Sequence, residues 1–596
     1  MTQYSSGFTK YRYMLCLILL LPITVVLAQT LPTERTVDWS LAGLQDFNPT
    51  ADGSYNFLNY GGVGDGLTPN DDALTNLLNS ASGDFIEIYF PQGVYLFNQS
   101  IDLPAATTLY GESSELVQLK FDLGGAGHLI NIEGHSTNVS TLLSDNVLFG
   151  ANQMAVEDAS PFQAGDYIEL IANDTALITS NWAFESTGQI NKIVSVNNNT
   201  IVVASPFRRA FDLTNQPRIT KLELVENVGI NNLSIERLDS TQNQTSNIYL
   251  AYAANCQIKC IESRYCNFAH VDVRHSTNIE VSGSYFYNAF KHGGGGQGYG
   301  VMLHFATGES LVYNSIFETL RHSMILQAGA NGNVFAYNYS IDPFWTGVSL
   351  PSYSAGDLVL HGNYPYANLF EGNIGQNIVI DDSHGINGPL NTFFRNRAEL
   401  YGVFMNFNPP SDNQNFIGNE ISSLDSLGFY FLSGEDHFEY GNNHTTTIVP
   451  MGTDDLPESS LFLNAIPAFY QSIESWPPIG IPNLLDSKTI EAKHRYLDNQ
   501  YTACATTFTA TQQIVNPTSL LLFPNPVTDQ LQLDFAKASA VSQVKIVALS
   551  GQEVLVAEFK STLDLSNLNA GIYFIQLQLK DGSLVVERFV VGQSLK

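Results

Sequence analysis

Histidines recur along the second half of this chain at a spacing that invites chemistry. His304, Gln327, His361, His384 and Asn406 follow one another at intervals of 23, 34, 23 and 22 residues. The segment QNIVIDDSHGINGP, residues 376–389, adds Asp382 beside His384. Imidazole exchanges its proton more readily near neutrality than any other side chain, so a row of histidines next to a carboxylate suits general acid–base work. Arg321, in TLRHSMILQ, carries a planar guanidinium able to clamp a carboxylate through paired hydrogen bonds; a surface salt bridge is its plain structural use. Tyr299, in HGGGGQGYG, adds a phenol, and the glycines before it lack the Lys-Ser/Thr of a phosphate loop. Trp345 and Tyr364 offer flat faces for stacking on a ring, or for packing down the loop that holds them.

Such residues need a scaffold that brings distant segments together, and repetition supplies one. NVFAYN, NLFEGN, NTFFRN and NFIGN end on Asn338, Asn373, Asn396 and Asn419, in steps of 35, 23 and 23; Asn314 precedes the series by 24 and Asn442 follows it by 23. A unit of about 23 residues, with short apolar strands and Asn or Gly at the corners, is one coil of a parallel β-helix. Its coils stack at the strand spacing of about 4.8 Å. Asn suits the corners because it tolerates the left-handed backbone and bonds to an equivalent Asn one coil away. Phe335, Phe370, Phe393 and Phe416 keep pace with the corners and are expected to stack in the core. Two coils are over-long, through KHGGGGQGYG (291–300) and the stretch 342–366. Long loops on a rigid scaffold are where binding and catalysis concentrate.

Alternation sets the facing. Val301, Leu303, Leu358, Leu360, Val403 and Met405 are expected inward. That turns His304, His361, His384 and Asp382 outward as a polar ladder, extended by His270, and leaves Asp381 inward as a turn residue. Stacked polar residues are also an ordinary way to solubilise a β-helix face; the flanking long loops favour a working groove. Another departure, about 160–211, contains GDYIELI and GQINKIVSVNNNTIVVASPF and reads as a small β-insertion.

Composition bounds the rest. With 26 Lys+Arg against 57 Asp+Glu in 596 residues, the formal charge is −31, which argues against a nucleic-acid partner. Residues 1–28 read as an export signal, with Lys10 and Arg12 before an apolar run from Met14 to Leu27. That run is too short for a comfortable membrane span, so the mature chain is expected to carry no transmembrane segment. Four further cysteines follow, of which Cys260 and Cys266 could meet across a turn; none has zinc-ligand spacing. No cofactor is assigned and no metal ligands are named; calcium stays open.

LNYGGVGDGLTPNDDALTNLL (58–78), followed by IYFPQGVYLF, resembles the opening of the pectate-lyase-superfamily domain called rhamnogalacturonase/epimerase-like. LPESSLFLNAIPAFY with WPPIG (456–480) resembles the closing stretch of related β-helix polysaccharide enzymes. LLFPNPVTDQLQLDF, VKIVALSGQEVLVAEF and LNAGIYFIQLQLKDGSLVVERFVV resemble the C-terminal sorting domain of type IX secretion in Bacteroidota. Together these imply an all-β chain. A right-handed single-stranded parallel β-helix of pectin-lyase type covers 29–504, a linker 505–518 and a small β-sandwich 519–596. They also imply export through the periplasm, by the type IX secretion machinery, to the medium or the cell surface.

The expected function is cleavage of an anionic, uronic-acid-containing polysaccharide by β-elimination. His304, His361, Asp382, His384 and Arg321 carry the chemistry; Tyr299, Gln327, Trp345, Asp357, Tyr364 and Asn406 hold the sugar chain. A His or Tyr takes the proton next to the carboxylate, which Arg321, Gln327 or a His neutralises. Two alternatives stand beside this one. One is a glycoside hydrolase in which Asp382 and Asp357 flank the bond; the other is a non-catalytic glycan-binding surface adhesin.

Overall fold

The computed structural model describes residues 30–45, 47, 53–346, 355–405, 410–424, 427–470, 476–504, 520–523, 527–535, 538–548, 552–569, 571–580 and 584–591. The segments expected as export signal (1–28) and linker (505–518), and Asn406, lie outside the described residues. The chain divides into two units, Met1–Ala505 and Thr506–Lys596.

In the first unit, short apolar strands separated by tight corners wind into a right-handed parallel β-helix. One face is a 12-stranded parallel sheet in which Val334–Ala336, Leu369–Glu371, Thr392–Phe394 and Asn415–Ile417 are consecutive neighbours. The other faces belong to a 21-stranded sheet with two ladders. One ladder contains Tyr285–Ala289, Ile316–Glu318 and Tyr339–Ile341; the other contains Ala269–Arg274, Tyr299–His304, His322–Leu326 and Gly356–Leu360. Ile374–Ile380 runs through both. Phe335, Phe370, Phe393 and Phe416 stack in the core with centroids 5.4, 5.0 and 5.3 Å apart, as the repeat requires.

The corner asparagines form a buried ladder. Nδ2 of Asn338, Asn373, Asn396 and Asn419 donates to Oδ1 of the next Asn at 3.0, 2.9, 3.1 and 2.9 Å, ending on Asn442. The left-handed backbone expected of these residues falls one position earlier, on Tyr337, Gly372, Arg395, Gly418 and Gly441. Asn314 is itself left-handed, and Ser315 takes the ladder position below Asn338. The asparagines are therefore selected for their amide, not for their backbone.

The α-helix Asp71–Ser80 buries Leu74 and Leu77 against the first coils. At the far end, residues 456–496 pack Leu456, Tyr470, Ile479 and Ile490 along one flank, where the Arg395 guanidinium donates to the carbonyls of Leu456, Glu458, Ile479 and Ile481. The cysteine pairing, open in the sequence, is not the one across the turn. Cys260 is bonded to Cys504, while Cys256 and Cys266 are buried free thiols. Sequence proximity across a turn loses here to a flank segment that returns after 244 residues.

The β-insertion is a six-stranded antiparallel sheet running from His135–Leu142 to Arg218–Glu223, so it encloses the 160–211 segment, with two strands before it and one after. It has its own core, including Val147, Ile168, Leu170, Ile201 and Phe207. It docks on the β-helix where two glycines permit close approach. Gly329 (φ +71°) faces the carbonyl of Ser186, and Gly385 (φ +93°) faces Thr179; a Cβ at either would collide. A buried ion pair between Arg208 and Glu309 fixes the same interface.

The second unit, by itself, is a small β-sandwich. Three- and four-stranded antiparallel sheets close over Val527, Leu531, Val544, Ile546, Ile575, Leu577 and Phe589.

Candidate functional site

Strand pairing fixes the row on which the histidines lie. Arg274 pairs with His304; Leu303 pairs with Leu326, Leu326 with Leu360, and Leu360 with Ile380. The residues one step beyond are therefore Gln327, His361 and Asp381. The coil from His361 to Asp381 is 20 residues, not 23, so Asp381 occupies the position expected for His384. Ile380 faces the core, which turns Asp381 outward. The expected facing of the two aspartates is thus reversed.

Asp381 Oδ2 lies 2.7 Å from His361 Nδ1, an ion-pair contact whose angle falls outside hydrogen-bond geometry. Burial works against its charge, yet the close contact and charge of His361, with Ser383, hold its carboxyl well below the usual range. Asp382 is buried instead in the turn, where Oδ1 accepts from Asn387 Nδ2 and Ser411 Oγ and Oδ2 has no hydrogen-bond partner. Burial pushes it up to about 7. His384 follows on the same turn, exposed, its ring 4.9 Å from His361 and nearly perpendicular to it.

Around His361 the other rings converge. His322 lies 5.0 Å away and Tyr299 6.4 Å, with Tyr299 and His322 at 5.2 Å from each other. His322 accepts the Gly356 N–H at Nδ1, so it is the Nε2–H tautomer, and burial beside His361 and Arg321 keeps its pKa far below normal. Burial raises the Tyr299 phenol, against the pull of Arg321. Arg321 lies over the rings of Tyr299 and Trp345 at 5.9 and 5.1 Å. Its Nη1 donates to the Gly293 carbonyl of the first long loop, and its Nε is buried without a hydrogen-bond partner. The two long loops meet above these rings, His292 packing edge-on against Phe344 at 5.0 Å.

The remaining expected residues scatter. His304 is buried two coils before His361, at the other end of the Tyr299 strand, in a separate cluster, Nε2 2.7 Å from Asp272, which also pairs with Arg274; burial lowers it to about 4 despite that carboxylate. Gln327 donates Nε2 to the His361 carbonyl and braces the row. Asp357 is fully buried in the strand Gly356–Leu360, its carboxylate accepting from Ser340 Oγ and the N–H groups of Gln376 and Asn377, with burial raising it to about 6. Asp357 and Asp382 each satisfy structural bonds and neither lines an open cleft. Tyr364 is wedged between Tyr366 and the insertion's Leu177–Ile178. His270 is buried, bonded to Ser263 and the Asn288 carbonyl, and does not extend the row. Among the described residues, no three His, Cys, Asp or Glu are grouped to hold a metal ion. A cleft of about 970 Å³ under the cap helix, lined by Leu74, Phe97 and Asn131, holds no histidine.

Sequence reasoning missed three contributors. His322 pairs across from Tyr299, exactly one 23-residue step away, and the repeat could have found it. Asp381 was hidden by the short coil. Trp182, 6.4 Å from His384, reaches the site from the insertion, and no local signal places it there.

Residues 54–341 match the family described as rhamnogalacturonase A/epimerase, pectate lyase-like, and residues 521–592 match the secretion system C-terminal sorting domain. Residues 54–341, just under half of the chain, thus resemble the pectate-lyase-like β-helix proteins of that family, and residues 521–592 resemble a secretion sorting domain. A capsule K1-specific depolymerase of Klebsiella phage K64-1 is 26% identical over 216 residues, 36% of this chain and 21% of that protein. The chain therefore matches only about a fifth of that relative's length. Among solved structures, the gp49 tailspike of Pseudomonas phage LKA1 aligns with TM-score 0.44 and 12% identity, over 65% of this chain and 80% of that one. The Azotobacter vinelandii mannuronan C-5 epimerase AlgE6 A-module aligns with TM-score 0.33 and 13% identity, over 65% and 98%. Among the described residues no helix is long and apolar enough to cross a membrane.

Proposed function

We propose that this exported protein acts on a uronic-acid-containing polysaccharide and cleaves it by β-elimination. The observation that carries the reading is the His361–Asp381 pair, 2.7 Å apart, set among Tyr299, His322, His384 and Arg321. The sugar carboxylate lies against the Arg321 guanidinium, which is held over Tyr299 and Trp345. With Asp381 2.7 Å from Nδ1 to orient the ring, His361 takes the adjacent carbon-bound proton at Nε2. The electron pair forms the new C=C bond as the glycosidic C–O bond breaks, and the leaving oxygen receives a proton from Tyr299. A phenol is protonated at neutrality, and burial raises this one further. The likeness to a capsule depolymerase supports a polysaccharide as the substrate class.

Incubation with a panel of uronate polymers tests this. Ultraviolet absorbance from an unsaturated product, lost in His361→Ala, is the expected result. New reducing ends without that absorbance assign hydrolysis instead, and neither signal on a broad panel assigns a glycan-binding adhesin.

A further inference from the structure

We infer that the cleft between the β-insertion and the β-helix binds further sugar units of the same glycan, with Trp182 as its stacking platform. This rests on the glycan reading above and extends it beyond the reacting unit. The cleft has a volume of about 540 Å³, in the range of clefts that enclose small ligands, and its lining is mostly polar.

Its floor is an aromatic ladder with one ring per coil. Tyr252 and His275 stack at 4.8 Å with 5° between planes, and His275 and Phe305 at 5.5 Å with 20°. Arg218 of the insertion, paired with Glu185 at 2.8 Å, stands on the opposite wall. Trp182 projects from the short segment Asn181–Ala183 and is 51% exposed, while Ala183 beside it is fully buried against Ile178 and Ala328. The backbone is thus anchored and the ring left uncovered. An uncovered indole loses little freedom on meeting a ligand, and its flat face suits the C–H face of a sugar.

Continuity assigns the occupant. The Trp182 ring contacts Phe305 at 5.8 Å on the cleft side and His384 at 6.4 Å on the side of the histidine cluster. A glycan whose reacting unit lies at His361 and His384 meets Trp182 next and the aromatic floor after it.

The test uses the full chain, with short and long oligomers cut from alginate and from polygalacturonate. Trp182→Ala is expected to lower kcat/KM roughly tenfold on long oligomers, with the loss shrinking as the oligomer shortens. Trp182→Phe, which keeps a ring, should recover most of it. An equal loss at every length overturns the cleft assignment and leaves elimination standing. If the chain makes no unsaturated product, length-dependent quenching of tryptophan fluorescence that Trp182→Ala abolishes supports the cleft while elimination falls. Absence of both product and quenching overturns both.

Discussion

The ionisation of a carboxyl group is set by what replaces its water, and Asp381 and Asp382 have received different replacements. Asp381 faces His361, and its folded pKa lies below the unfolded value of about 3.9. Its contribution to stability is therefore present above about pH 4 and lost as pH falls through the folded pKa. Asp381→Asn should lower Tm at neutral pH but not in strong acid, and should slow turnover about 10²-fold by releasing the His361 ring. A rate within a factor of two of the parent would show that Asp381 is not the orienting group. Asp382 has the opposite sign. Its folded pKa, raised to about 7 by burial, lies above the unfolded one, so its site is most favourable at acid pH and loses stability as pH rises toward about 7. Asp382→Asn keeps the acceptor for Asn387 and Ser411 and should flatten the fall in Tm across that window. An unaltered pH profile of Tm would refute the assignment. His361 and His384 also differ: His384 is exposed, so His384→Ala should move stability by no more than about 0.5 kcal/mol. His361 is only 4% exposed, so its removal costs stability as well as rate. None of this was legible in residue types, because a coil three residues short exchanges the two aspartates' positions. The residue kinds were readable; their partners were not.

At the scale of elements, the repeat was readable because burial imposes it. A corner amide that must satisfy the coil before and after it recurs at the coil length, and so does a phenylalanine that must stack on its equivalent. Asn396 makes the point quantitatively. Its Nδ2 donates to the Phe370 carbonyl and to Asn419, and its Oδ1 accepts from the N–H and Nδ2 of Asn373. Asn396→Ala leaves several buried groups unpaired at about 1–3 kcal/mol each, partly relieved by relaxation, and should destabilise the helix by about 3 kcal/mol. A denaturant midpoint shifted at constant m-value measures it; a loss below about 1 kcal/mol would mean the ladder is dispensable. The outer strands of the insertion were not readable for the converse reason. In His135–Leu142 the side chains alternate only between exposed and half-buried, so no apolar period marks the strand. Its partner Arg218–Glu223 buries only Ile219 and Leu222. Their pairing is set by the sheet, not by their own pattern.

At the scale of the whole molecule, each unit carries its own means of staying folded. The β-helix closes its last flank on itself through Arg395 and the Cys260–Cys504 disulfide, all before Ala505. The sandwich closes over its own apolar core from Val527 to Val591. Both unit types were legible because their motifs are local: an opening turn and cap helix at one end, alternating strands at the other. Folding and export should therefore separate cleanly. Truncation after Ala505 is expected to leave the β-helix with its disulfide, its unfolding temperature and its turnover, since no core residue of that unit is removed. The same truncation removes the matched sorting domain, so the protein should accumulate in the periplasm instead of reaching the surface or medium. Fractionation of cells expressing both forms, with Tm and activity measured on each fraction, reads the two effects apart. Surface display of the truncated chain at the parental level would sink the sorting role, whereas loss of Tm with normal export would show that the sandwich stabilises the helix.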